Sequence, residues 1–381
     1  MQIKKTLYII AFFTLIYSCK NEKTYHIHEN IKVDVTKDAK KISLKTLSDS
    51  LLIIPLETSK SSYIKKIREI CIDDSIIFIF DQENQSIHKF NFDGKHIGKI
   101  GNRGKSGKEY IFLNDIYIDT SENIIYAHDR HKKQIFCYEY SGKLKEQIRC
   151  KYDFNSFTKY KSDFWIYSCF TTKEGERYNL MCLDNKLKTV KYQFLPQQNE
   201  FIGATFNDTF TRDTKGNAYF YYPMSDGLYK LKTDDIELRY NFDFGDRKKP
   251  YELLQKTNSH KKHDEILTSN NYLGSLSDVH FYKNYLFARF RESPIGVPKR
   301  SYSFCYNITN KEGYPITFLR DTPLNCYNIL GSWNDYLISY LDPYQIYGDE
   351  GKLLEEQYNL YGITKTSNPI LVLYKIKDKI L

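Results

Sequence analysis

The sequence predicts an all-β protein, a six-bladed β-propeller of four-stranded antiparallel blades with one partly helical rim insertion. Three observations carry this. Aromatic residues make up 16% of the 381, against 18 Gly and 10 Pro, and aromatic and β-branched side chains suit a pleated, half-buried surface. Short alternating strands separated by turn residues recur at a spacing of about 48 residues. Four strands in roughly 40–50 residues is the size of one propeller blade.

From the N-terminus, residues 1–18 read as a lipoprotein signal peptide. Lys4 and Lys5 precede an apolar run from Leu7 to Ile16, the charged and apolar regions of a secretory signal. That run is too short for a membrane span, which needs roughly 20 residues. Ile16-Tyr17-Ser18-Cys19 resembles the bacterial lipobox, and the resemblance implies cleavage before Cys19 and diacylglycerol on its sulfur, a membrane anchor. Lys20 follows Cys19 in place of the Asp that retains such proteins at the inner membrane, so an outer-membrane anchor in the cell envelope is expected. Residues 19–50 would then be the lipidated Cys and a tether, and 51–381 the propeller.

Loss of Lys4 and Lys5 lowers the formal charge from +9 to +7. No dense Lys/Arg stripe with a nucleic-acid motif occurs, and an exported chain does not meet the genome, so nucleic acid is not an expected partner. The basic balance reads as a solvated surface with a bias toward acidic partners. Of eight Cys, Cys71, Cys137, Cys150, Cys169, Cys182, Cys305 and Cys326 remain after the anchor, an odd set whose spacings exclude CxxC redox or zinc pairs. Most are expected in the core as small hydrophobes, with a Cys169–Cys182 disulfide across a hairpin as the alternative.

The repeat fixes the blades. Ile76-Ile77-Phe78 through Asp81, then Ile87, Phe90 and Asp93-Gly94-Lys95, recur 48 positions later. There they read Ile124-Ile125-Tyr126 through Asp129, then Ile135, Tyr138 and Ser141-Gly142-Lys143. Asp-Gly and Ser-Gly pairs are hairpin turn chemistry. Worn units follow at Phe164–Leu183, Asn217–Phe244, Tyr285–Asn307 and Trp333–Tyr374. Six such units fill residues 51–377 once the non-strand stretch at about 246–275 is set aside; seven is the alternative count. That stretch starts a helix at Pro250 and carries Leu253, Leu254, Ile266 and Leu267 as its apolar side. The strand Leu51–Glu57 is expected to complete the last blade beside Ile370–Tyr374, closing the ring and removing its open edge.

At this point the chain resembles exported bacterial lipoproteins with six-bladed, TolB/NHL-like β-propellers. The carrying residues are Ile54-Pro55-Leu56-Glu57-Thr58, the two blades from 67 to 148, the segment Ile100-Gly101-Asn102-Arg103-Gly104-Lys105-Ser106-Gly107-Lys108-Glu109-Tyr110 and Asn368-Pro369-Ile370-Leu371. In the family the glycine segment reads Gly-Pro-Gly where Ser106, Gly107 and Lys108 stand here. The resemblance implies the fold and a cell-envelope location, and no chemistry.

Motifs for chemistry fail in specific ways. Gly104-Lys105-Ser106 lacks both the upstream Gly and the following helix of a phosphate loop. Gly104–Lys108 lacks the last Gly of a nucleophile elbow. The pairs His26/His28, His128/His131 and His260/His263 form no metal motif and read as solvated. Asp81 and Asp129 recur at one blade position, where a strand-end Asp caps turn amides; a ring of carboxylates holding a cation around a channel is the sharper alternative. Arg103, Lys105, Glu109 and Tyr110 of the glycine segment complete the candidate binding residues, although Tyr110 also fits packing between blades. No metal or cofactor is expected. The expected function is a monomeric, envelope-anchored, non-enzymatic binding or scaffold module for a glycan, peptide or protein. The alternative is a propeller hydrolase or lyase with an acid/base or metal site in the axial channel, which needs clustered His, Asp and Glu on several inner strands.

Overall fold

The computed structural model describes residues 25–36, 42–43, 47–168, 178–196, 209–222, 225–257, 259–292, 301–317, 329–343 and 362–377. Within them, six sheets of four or five strands form the blades of a closed propeller. Blade 1 is Ile67–Asp73, Ile76–Asp81, Ser86–Asn91 and His96–Ile100, and blade 2 is Leu113–Asp119, Ile124–Asp129, Gln134–Glu139 and Leu144–Arg149. Both are antiparallel meanders in sequence order. Their turns use the residues that the repeat displays: Asp74 and Asn123 take positive φ between the first two strands, a conformation Asp and Asn tolerate. Blades 3, 4 and 5 run over 156–196, 210–243 and 273–317, where the worn repeats placed them.

The innermost strands of successive blades pack against one another around an axis. Antiparallel order puts two sets of loops on opposite faces. Loops joining second to third strands, and those joining one blade to the next, share the upper face; the remaining turns share the lower face. Between blades lies the core. Phe78 and Phe80 of blade 1 meet Phe136 and Tyr138 of blade 2; Trp165 and Tyr167 meet Phe220 and Tyr229 between blades 3 and 4. A fully buried ring contributes roughly 2–3 kcal/mol, and the aromatic-rich composition serves these interfaces.

Closure occurs as expected. Blade 6 takes Ile329–Trp333, Tyr336–Leu341 and Ile370–Ile376 from the C-terminal part and Ser48–Pro55 from the N-terminal part, with Leu371 opposite Ile54 and Tyr374 opposite Leu51. Asn368 locks the seam: its Oδ1 accepts the Ile64 amide at 2.8 Å, and its Nδ2 donates to the carbonyls of Glu57 at 2.7 Å and Ser62 at 2.9 Å.

Two local expectations are revised, for the tether and for His128, and the rim insertion is as expected apart from Leu253. Residues expected to be tether supply fifth strands: Glu29–Lys32 pairs in parallel with the outer strand of blade 4, and Ile42–Ser43 with that of blade 5. Buried Ile31, Val33 and Ile42 explain why this stretch is held. The rim insertion is partly helical, with a 3-10 turn at Gly245–Arg247 and helices Tyr251–Gln255 and His260–Thr268. Leu254 and Leu267 pack over the blade 3–4 core while Leu253 is 53% exposed. His128 is buried, not solvated: its ring stacks on Phe154 at 3.8 Å, and burial pushes its pKa down to about 3, so a neutral imidazole serves as a core aromatic. His131 is exposed as expected. Cys137, Cys150, Cys182 and Cys305 are buried free thiols and Cys71 is half-buried. Cys19, Cys169 and Cys326 lie outside the described residues.

Candidate functional site

The six innermost strands wall an axial cavity of about 350 Å³, within the range of small-ligand pockets. Its lining is polar for structural reasons first. Arg68 of blade 1 reaches Asp115 of blade 2, Nη2 to Oδ1 3.2 Å, with both side chains 5% exposed. Arg68 also donates to the Asn114 carbonyl, and Asp115 Oδ2 accepts the Phe157 amide at 3.0 Å. The Asn114 side chain donates to the Asn155 carbonyl. A buried ion pair survives desolvation only with such extra hydrogen bonds; here they tie blades 1, 2 and 3 together near the axis.

Toward the lower side, Arg212 of blade 4 donates to Tyr117 Oη at 2.9 Å and to the Lys159 carbonyl, its guanidinium 5.2 Å from the centre of the Tyr117 ring. Burial pushes the Tyr117 phenol up to about 12 despite Arg212, so it is a neutral donor at pH 7. Across the cavity stands Asp278 of blade 5. Its φ is +49°, and register shifts fall on both sides of Ser277 in the same strand. Asp tolerates this region, and here it falls within a strand whose pairing is irregular. The Asp278 carboxylate lies 3.4 Å from Arg289 Nη1, and burial raises its pKa against the pull of Arg289 and Arg291. His280 lines the same wall two residues on, with Thr158, Thr211 and Glu69 on other blades. The cavity therefore offers a guanidinium, carboxylates, an imidazole, hydroxyls and an aromatic ring to a small polar ligand. Among the described residues, no group of three His, Cys, Asp or Glu could hold a metal ion.

The residues singled out in the sequence lie elsewhere. Asp81 and Asp129 are fully buried on the upper face and outside the cavity lining. Asp81 accepts the amides of Lys65, Lys66, Glu83 and Asn84, and the Asn84 side chain. Asp129 accepts those of Ile111, Phe112 and Lys132. Each cap fastens the loop entering its own blade to the turn after its second strand.

The glycine segment folds on itself, the Gly104 amide donating to the Tyr110 carbonyl at 2.8 Å and the Tyr110 amide to that of Asn102 at 3.1 Å; no helix follows it. Tyr110 is buried between blades 1 and 2. Gly101 has φ +64° and a Cβ there would stand 2.6 Å from the Tyr138 ring, so only glycine fits. The Glu109 carboxylate accepts the Ser106 amide at 3.0 Å, which holds it below the usual carboxylate range. Arg103 Nε donates to the Ile111 carbonyl at 3.2 Å, and Lys105 is exposed.

Sequence reasoning missed Arg68, Asp115, Arg212, Asp278 and His280. A signal existed: Arg68, Glu69 and Asp115 are charges inside innermost strands that otherwise carry Ile at alternate positions.

Comparison with known proteins supports the fold. A protein of Bacteroides fragilis described as exported is 20% identical, covers 93% of this chain and 100% of its own, and superposes with a TM-score of 0.74. A DUF4221-family member from Bacteroides vulgatus is 10% identical over 87% of this chain and 97% of its own, with a TM-score of 0.52. No curated protein matches the sequence. No helix among the described residues is long and apolar enough to cross a membrane. The family model described as Domain of unknown function (DUF4934) matches residues 28–375, and the chain belongs to that family.

Proposed function

We propose that the protein is an exported, non-enzymatic binding module, anchored by lipid on Cys19 to the outer membrane, that takes a glycan unit or short peptide in its axial cavity. The observation that carries this reading is the cavity itself: about 350 Å³, walled by a closed ring and lined by side chains with different chemistry on each blade. The lipobox-like Ile16-Tyr17-Ser18-Cys19 supports the anchor, and the likeness to an exported Bacteroides protein supports export. A thermal-shift screen of the mature chain against glycans and cell-wall peptides tests it. A ligand that raises the melting temperature of the parent chain but not of Asp278→Asn supports cavity binding; a ligand whose effect survives that change binds elsewhere.

A second reading, a hydrolase or lyase, is favoured by one observation. Asp278, held protonated to higher pH by burial, shares a cavity wall with His280, and an acid beside a base is the minimum for proton transfer. Turnover of a bound ligand, abolished by His280→Ala, would establish it.

A further inference from the structure

We propose that the upper face of blades 1 and 2 is a docking surface for an acidic polysaccharide. This rests on the export and anchoring proposed above, and names the partner class for a surface separate from the axial cavity. Hydrogen bonds and ring contacts knit the surface together. The Asn84 side chain donates to the Tyr63 carbonyl at 2.9 Å, Gln85 accepts the Leu113 amide at 2.6 Å, Phe112 packs edge-on against His131 at 5.5 Å, and Lys132 donates to the Ser106 carbonyl at 2.6 Å. The patch thus runs unbroken from the loop before blade 1 to the turn between the second and third strands of blade 2.

Its charge is predominantly positive. Lys65, Lys66, Lys105, Lys108 and Lys133 are exposed and form no ion pair among the described residues, whereas the nearby Arg130 is paired with Asp153 at 3.0 Å. Asp81 and Asp129 are buried under backbone amides and do not face solvent; the carboxylates that reach solvent on this face, exposed Glu83 and half-buried Glu109, are fewer than the lysines. On the lower face, Lys159 and Lys186 are matched by Glu122 and Glu146.

Rings and apolar groups stand among the unmatched lysines. Tyr63 is 43% exposed, Ile111 40% and Phe112 37%. Lysines recognise carboxylates or sulfates on a chain, and aromatic faces stack on pyranose rings; an acidic protein would use the first and have less need of the second. The loops are already rigid, since Asp81 and Asp129 fix the amides of Lys65, Lys66, Ile111 and Phe112, so little ordering is required on binding.

The anchor argues against a lipid surface as the occupant. Tyr25 and His28 sit at the lower side of blade 4, where the His28 amide donates to the Leu238 carbonyl and Tyr25 packs edge-on against Tyr229. Only residues 20–24 separate Cys19 from Tyr25, a reach of at most about 20 Å. Lipid on Cys19 therefore holds the lower side toward the membrane, and the upper face projects away from it.

The test is binding of the mature chain to a soluble polyuronate, with neutral dextran, polyglutamate and anionic vesicles as the other probes. Polyuronate binding that weakens with salt is expected, with at least about a tenfold loss in Lys65→Glu/Lys66→Glu/Lys105→Glu and a smaller loss in Tyr63→Ala/Phe112→Ala. Melting temperatures of both variants should stay near that of the parent, because each changed side chain is exposed. Binding to polyglutamate as tight as to polyuronate would replace the polysaccharide by an acidic protein, and binding to vesicles alone would replace it by a membrane. No binding to polyuronate at low salt would overturn the proposal. Asp278→Asn, which tests the cavity, should leave polyuronate binding unchanged, so failure of either site shows separately.

Discussion

The buried carboxylates of the rim and the half-buried Asp278 of the axis obey different rules. At the rim, Asp81 and Asp129 spend their oxygens on backbone amides and occupy equivalent positions 48 residues apart. At the axis, Asp278 occurs once, in left-handed backbone at an irregular strand pairing, with a long 3.4 Å contact to Arg289. Recurrence marks what each blade needs to be a blade. Residues that break the repeat are released from that duty, and the cavity is built from them.

Substitution at the rim should sharpen this contrast most. Asp81→Ala strands several amides that water reaches poorly, and a loss of about 4 kcal/mol is expected; Asp129→Ala should lose slightly less, having fewer partners. Urea denaturation measures both. A loss below 1 kcal/mol would mean that the caps are dispensable.

A third rim carboxylate breaks the pattern and makes a pH test. Asp226 is 2% exposed and accepts the Tyr251 hydroxyl at 2.7 Å on Oδ1, while Oδ2 finds no hydrogen-bond partner among the described residues. Burial raises its pKa to about 7, opposed by Tyr251, Lys248 and Lys249, with Asp243 adding to the rise. The unfolded chain releases this proton near pH 4 and the folded chain near 7. The contribution of Asp226 to stability should therefore slope downward as pH rises from about 4 to about 7, by on the order of 4 kcal/mol, and level off above; buried His128 contributes with the opposite sign, so the Asp226 slope is read as the difference between the parent and Asp226→Asn. In Asp226→Asn that slope should disappear from the urea midpoints; an unchanged slope would contradict the assignment.

The seam comes next. Asn368→Ala removes three hydrogen bonds joining the chain's two ends and should cost about 2 kcal/mol, with faster hydrogen exchange concentrated in 48–55 and 370–376. The smallest effect belongs to the axis. Asp278→Asn keeps a residue type that tolerates positive φ and removes a carboxylate whose pKa burial raises. Its stability at pH 7 should match or exceed the parent's by up to about 1 kcal/mol.

Much of the fold was legible because blades repeat. The Ile-x-Ile-Asp strands, the Asp-Gly turns and the pairing of Leu51–Pro55 with Ile370–Tyr374 all follow from period and turn chemistry. The outer strand Glu29–Lys32 was not legible: four residues with Ile31 buried among polar neighbours resemble a linker until the outer edge of blade 4 is there to receive them. The site was hidden for the opposite reason. Asp278 and Arg212 belong to worn blades, where no repeat shows which position faces the axis, and the irregular pairing at Asp278 is a property of the backbone that the residue type does not announce. His128 misled because its role is set by Phe154, 26 positions away in sequence.

The most direct measurement is the ligand-induced thermal shift of three proteins side by side: the mature parent, Asp129→Asn and Asp278→Asn, each with a glycan or cell-wall peptide that stabilises the parent. The account predicts that Asp129→Asn melts lower but keeps the full ligand shift, while Asp278→Asn melts near the parent and loses it. A ligand shift retained in Asp278→Asn and lost in Asp129→Asn would place binding at the recurring rim positions and contradict the division between scaffold and axis.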